Sequence, residues 1–113
     1  TMTDDYSAFR KWYETLNWIM ERTEKYPKDV RFSFTNRILT IAVEILERLI
    51  EAIYTREKTE NLKSINLSVE KLRIFFRLSY DRKYIAMNQY EYISTQLDEF
   101  GKMIGGWLKT CEG

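Results

Sequence analysis

The stretch Lys71–Lys83, KLRIFFRLSYDRK, places five basic residues and three aromatics in thirteen positions. Two arrangements compete for it. On a nucleic-acid surface the arginines would meet phosphates and the rings would meet bases. In a bundle helix the rings turn inward and the charges stay outside. The spacing decides between them: Ile65, Val69, Leu72, Phe76 and Ser79 follow one another at steps of four, three, four and three, the signature of one helix face. Phe76 is therefore a core residue, and Phe75 flanks the stripe. Arg73 and Arg77, one turn apart, lie along its other edge. The stretch also lacks the glycines of an RNA-recognition sheet motif. It reads as a helix, and any nucleic-acid role narrows to Arg73 and Arg77, with Lys71, Arg82 and Lys83 as weaker candidates.

Three further periodic segments surround it. The first, about residues 4–25, has Phe9, Trp12, Tyr13, Leu16, Ile19, Met20 and Thr23 at helical spacing. Thr3 or Asp4 is placed to cap its N-terminus, where the two aspartates suit the positive end of the helix dipole. Pro27 stops it, because the residue before a proline avoids helical dihedrals. The next, about 33–56, carries the stripe Ile38, Ile41, Ala42, Ile45, Leu49 and Ile53. Helix three spans about 62–82. The last, about 89–110, carries Ile93, Leu97, Phe100, Ile104, Trp107 and Cys111, opposite a polar side of Glu91, Thr95, Asp98, Lys102 and Lys109. Asn88 with Glu91 resembles a capping box at its start. Gly101 and Gly105, each costing about 1 kcal/mol relative to alanine in a helix, suggest that another backbone approaches there. Four helices with short connections predict an all-α, single-domain, antiparallel up-down-up-down bundle.

Composition limits what such a bundle can do. The 113 residues are enough for one core and too few for two. The chain has no histidine and one cysteine, Cys111, so the commonest general base and metal ligand are missing and no internal disulfide can form. Catalysis rests on nothing but scattered carboxylates such as Glu44, Glu47 and Glu51; no enzyme, metal or cofactor is expected. No apolar run reaches the roughly 18–20 residues of a membrane span, and the N-terminus lacks a signal-peptide pattern; a cytoplasmic protein is expected.

Net charge is +1, yet residues 61–90 carry six basic and two acidic side chains. Helices two and three are also too apolar for one core. Beyond their stripes they present a second seam each, Val43, Ile50 and Tyr54 on one and Leu67, Ile74 and Leu78 on the other. Exposed together, such rows mark an interface, and self-association with closed symmetry is expected. Trp18, opposite the stripe of helix one, is a further exposed anchor.

The C-terminal half, LRIFFRLSYDRKYIAMNQYEYISTQLDEFGKMIGGWLK, resembles the accessory variability determinant (Avd) proteins of diversity-generating retroelements. The resemblance rests on an LRxxxR segment, a capped last helix and the ending GKMIGGW, Gly101–Trp107. KYPKDVRFSFTNRI is similar to the turn after helix one in the wider superfamily, which includes four-helix proteins of ribosomal RNA intervening sequences. The resemblance implies a homopentameric barrel of bundles without catalytic activity. Its implied partners are a reverse transcriptase and RNA or DNA, in support of mutagenic reverse transcription. Arg73 and Arg77 match the basic positions of LRxxxR, and Lys102 matches that of the terminal motif. The alternative is a structural homo-oligomer with no nucleic-acid role, as among the ribosomal intervening-sequence relatives.

Overall fold

Four helices form a closed ring of neighbours in the computed structural model, which describes the backbone of residues 2–112 and the side chains of residues 6–111. They are α1 (Met2–Thr23), α2 (Asn36–Tyr54), α3 (Thr59–Asp81) and α4 (Met87–Glu112). Each packs against the next, and α4 returns to α1, so α1 lies diagonal to α3. The bundle measures 44 × 25 × 19 Å. The proposed caps Thr3 and Asp4 lie outside the described side chains.

The predicted stripes meet in one core of Trp12, Leu16, Ile19, Ile38, Ile45, Leu49, Leu72, Phe76, Leu97, Phe100 and their neighbours. Trp12 fixes the register of three helices. Its indole N–H donates to the Ala42 carbonyl at 2.9 Å, and its ring lies 4.7 Å from that of Phe100. A buried indole needs such an acceptor, because an unpaired buried donor costs about 1–3 kcal/mol. At the far end of α2 no glycine caps the helix. Instead the Lys58 amine donates to the carbonyls of Ala52 (2.5 Å) and Thr55 (2.8 Å), a cation where the helix dipole is negative.

Several boundaries differ from expectation, each for a local reason. Beyond Pro27, which adopts an extended conformation, the chain re-enters helix at once through a 3-10 turn (Lys28–Val30) and a π-helical turn (Arg31–Thr35). α4 starts one residue before Asn88. Its first turn is closed by Gln89, whose side chain accepts from the Ala86 N–H at 2.8 Å; this is the reaching-back half of a capping box, set two residues earlier than the Asn88/Glu91 pair.

Some side chains also leave their predicted places. On α1 the core arc is narrower than the sequence implies. Ala8 and Thr15 are buried, whereas Tyr13 and Met20, at its edge, are exposed. Trp18 is no free anchor: it is half-buried, with its ring 5.1 Å from Tyr92 on α4. Ala52 rather than Ile53 closes the α2 stripe, and Cys111 is exposed on the last turn of α4, the longest helix. No backbone approaches the α4 glycines from within the chain. A Cβ on Gly101 would lie 3.6 Å from the Arg73 guanidinium, and one on Gly105 would meet nothing within 4 Å.

Candidate nucleic-acid interface

Arg73 and Arg77 leave α3 on its solvent side, and both are already paired. Arg73 is partly covered, its side chain 33% exposed. It bridges Glu70, one turn earlier at 3.0 Å, and Asp98 on α4. Burial pulls its pKa down, but the two carboxylates outweigh that and leave it raised. Arg77 is more exposed and donates to Asp81 at 3.2 Å; hydrogen bonds to Asp81 and Tyr90 raise its pKa. Lys102 joins Arg73 in an open groove of about 430 Å³ between α3 and α4, with Glu70, Asp98 and Gly101 on the same walls. Two cations and two carboxylates make that groove neutral. A phosphate arriving there would have to displace a carboxylate, so each contact gains little.

Lys71 is exposed on α3 away from this groove, and Arg82 and Lys83 sit at the turn that follows. That turn has a specific geometry. The Lys83 N–H donates to the Tyr80 carbonyl (2.9 Å) and the Tyr84 N–H to the Ser79 carbonyl (2.8 Å), the paired bonds of a Schellman ending. The motif requires a left-handed residue, usually glycine. Here it is Lys83, at φ 64°, the one non-glycine with positive φ among the described residues.

The α3–α4 turn lies beside the α1–α2 connection. The Tyr84 ring is 5.2 Å from Tyr26 and 6.0 Å from Phe34, and Phe75 closes the cluster at 5.6 Å from Phe34. Burial pushes the Tyr26 phenol up to about 12, with the Ser79 hydroxyl and the Arg22 guanidinium only tempering the shift. These rings pin two connections more than fifty residues apart into one pole of the bundle. The pole displays Lys25, Lys28 and Arg31 as well as Arg82 and Lys83, all exposed, and none makes an ion pair among the described residues. Phe32, beside Arg31, is 89% exposed. Lys25, Lys28, Arg31 and Phe32 are not among the residues the helical periodicity singles out, although KYPKDVRF holds three cations and two aromatic rings in eight positions.

The outer seams stand as solvent-facing rows: Val43, Ile50 and Tyr54 on α2, and Leu67, Ile74 and Leu78 on α3, are all exposed, Ile74 at 69%. A wider core that would absorb them is not what the chain builds. A third row, Tyr6, Tyr13 and Met20, runs along α1 at steps of seven and is exposed too. Among the described residues no helix is long and apolar enough to cross a membrane.

A search of curated proteins returned no match to the chain. The bAvd-like family, in contrast, matches residues 8–111, which takes in all four helices from Ala8 onward, the LRxxxR segment and the GKMIGGW ending. With nearly the whole length covered in one colinear match, the chain belongs to the bAvd-like family of accessory proteins.

Proposed function

We propose that the chain is a non-enzymatic accessory protein of a diversity-generating retroelement, which binds the element's reverse transcriptase and RNA or DNA in support of mutagenic reverse transcription. The observation that carries this reading is the bAvd-like match over residues 8–111. The basic excess of residues 61–90, carried on the outside of α3 and the turn after it, supports it. Contacts to phosphate, from Lys71, Arg82 and Lys83 and to a smaller extent from the carboxylate-neutralised Arg73, Arg77 and Lys102, supply affinity without sequence choice. Fluorescence anisotropy with a mixed-sequence RNA, with co-purification of the reverse transcriptase from the same locus, tests the proposal. Binding whose logarithm falls linearly with that of salt is expected. Absence of both RNA binding at low salt and reverse-transcriptase association would overturn it.

The same reading includes a ring of copies, up to the family's pentamer. A ring larger than a dimer needs two different faces on each subunit, because its contacts are heterologous. Two such faces are available: the α2/α3 seams, and the row Tyr6, Tyr13 and Met20 on diagonal α1. Ile50→Lys with Ile74→Lys on one face, and Tyr13→Lys on the other, should each lower the mass measured by light scattering. A wild-type monomer at micromolar concentration would remove the ring.

A further inference from the structure

We propose that the pole made by the α1–α2 and α3–α4 connections is a binding site for single-stranded nucleic acid. Lys28, Arg31, Arg82 and Lys83 take the phosphates and Phe32 stacks on a base. The inference rests on the nucleic-acid reading above and adds a place and a strand type.

Charge polarity is the first argument. Residues 22–37 and 77–90, which build the pole, hold eight basic and three acidic side chains, a net +5. The remainder of the chain holds ten and fourteen, a net −4. A near-zero total therefore hides a bundle with one strongly positive end, and local charge, not net charge, sets how many phosphates a strand can place there. Of the three acids, Asp81 is already held by Arg77, leaving Asp29 and Glu24 against the unpaired cations.

The backbone supplies the second argument. Lys83 stands where glycine would be unstrained, and the Schellman bonds come from its main chain rather than its side chain. A lysine there costs stability and contributes nothing to packing, being exposed. Residues held in such conformations cluster where a side chain is needed for binding. Beside it opens a hollow of about 540 Å³ lined by Tyr80, Asp81, Lys83 and Tyr84.

Phe32 selects the strand type. It is the most exposed of the large apolar side chains described, and it projects from the π-helical turn between Arg31 and Ser33. Stacking on an exposed ring needs a base with a free face, which a single strand offers and a duplex hides. An acidic protein segment would use the cations but not the ring.

The test compares a mixed-sequence single-stranded RNA with the matching duplex, by anisotropy between 50 and 200 mM salt, a range chosen so that changes in slope are resolved. The variant K28A/R31A/R82A/K83A should lower the salt slope for single strands by about 3, roughly 0.7 per lost contact. F32A should weaken single-strand binding by about fivefold or more, the lower end of a lost stacking contact, and leave duplex binding as it was. K83G should lose about 0.7 of slope while its denaturation midpoint stays at or above the wild type's, which separates binding from folding. If the wild type binds RNA and the quadruple variant binds equally well, the pole is the wrong site and the accessory reading stands. If the wild type binds no RNA, this proposal falls, and the accessory reading then stands or falls on reverse-transcriptase association alone. Equal loss of single-strand and duplex binding in F32A, or competition by polyglutamate as effective as by RNA, would also overturn the proposal.

Discussion

The flank of α3 and the pole of the bundle are both basic in sequence, yet they use their charges differently. On the flank, Arg73 lies between Glu70 and Asp98, and Arg77 lies against Asp81; the arginines there act first as ties between turns and helices. At the pole, Lys25, Lys28, Arg31, Arg82 and Lys83 face solvent with no carboxylate partner among the described residues. A run of basic residues thus says little until the carboxylates brought to it by the fold are known. Asp98 lies twenty-five residues from Arg73 in sequence and in direct contact with it in space.

The largest effect that would separate the two regions comes from reversing charge. K28E/R31E/R82E/K83E should abolish RNA binding at 150 mM salt, whereas R73A/R77A should weaken it by no more than about twofold to threefold, because each arginine exchanges one anion for another. Comparable losses from the two variants would erase the distinction drawn here. A sharper version converts the flank into a second pole. Glu70→Ala with Asp98→Ala frees Arg73 of both its carboxylates, and the salt slope of RNA binding should rise by about 0.7 while stability falls by no more than about 1 kcal/mol through the two solvent-screened bridges, read from urea denaturation. An unchanged slope would mean that Arg73 cannot reach a strand even when free.

Smaller effects test the pole's construction. Lys83→Gly should stabilise the chain by about 1 kcal/mol, by removing the left-handed strain; destabilisation would mean that the lysine side chain holds the turn. Beneath it, Tyr26 is a buried phenol whose hydroxyl makes no hydrogen bond and whose pKa is pushed up to about 12. The unfolded chain releases this proton near pH 10 and the folded chain only near 12. Its contribution is therefore fully present below pH 10 and lost as pH rises toward 12. Tyr26→Phe should be neutral or slightly stabilising at pH 7. Above pH 10 its advantage should grow, to on the order of 2 kcal/mol, as followed by thermal melts across that range. Parallel pH profiles for the two proteins would contradict the buried-phenol account.

How much of this was legible in the sequence follows from the range of the interactions. The four-helix order, the core stripes of α2, α3 and α4, and the exposed seams are periodic features, and period is local. The α1 arc is narrower than its period implies, because which residue at the edge is covered depends on α2 and α4. Trp18 departs from its expected exposure for a similar reason: its partner Tyr92 belongs to the last helix. The pairing of Arg73 left no local sign either, since Asp98 reads as one polar residue on α4. The pole has no sequence signal because its two halves are each an ordinary turn, and only the contact of Tyr26 and Phe34 with Tyr84 joins them. Nothing in the sequence marks Lys83 as left-handed; the residue type that would signal it is glycine.

The central claim is that RNA affinity resides at the pole rather than along α3. Its most direct test is the salt dependence of single-stranded RNA binding for three proteins side by side: the wild type, K28A/R31A/R82A/K83A and R73A/R77A. The account predicts that the slope falls by about 3 in the pole variant and by less than about 1 in the flank variant. The reverse order, with the larger fall in R73A/R77A, would contradict it.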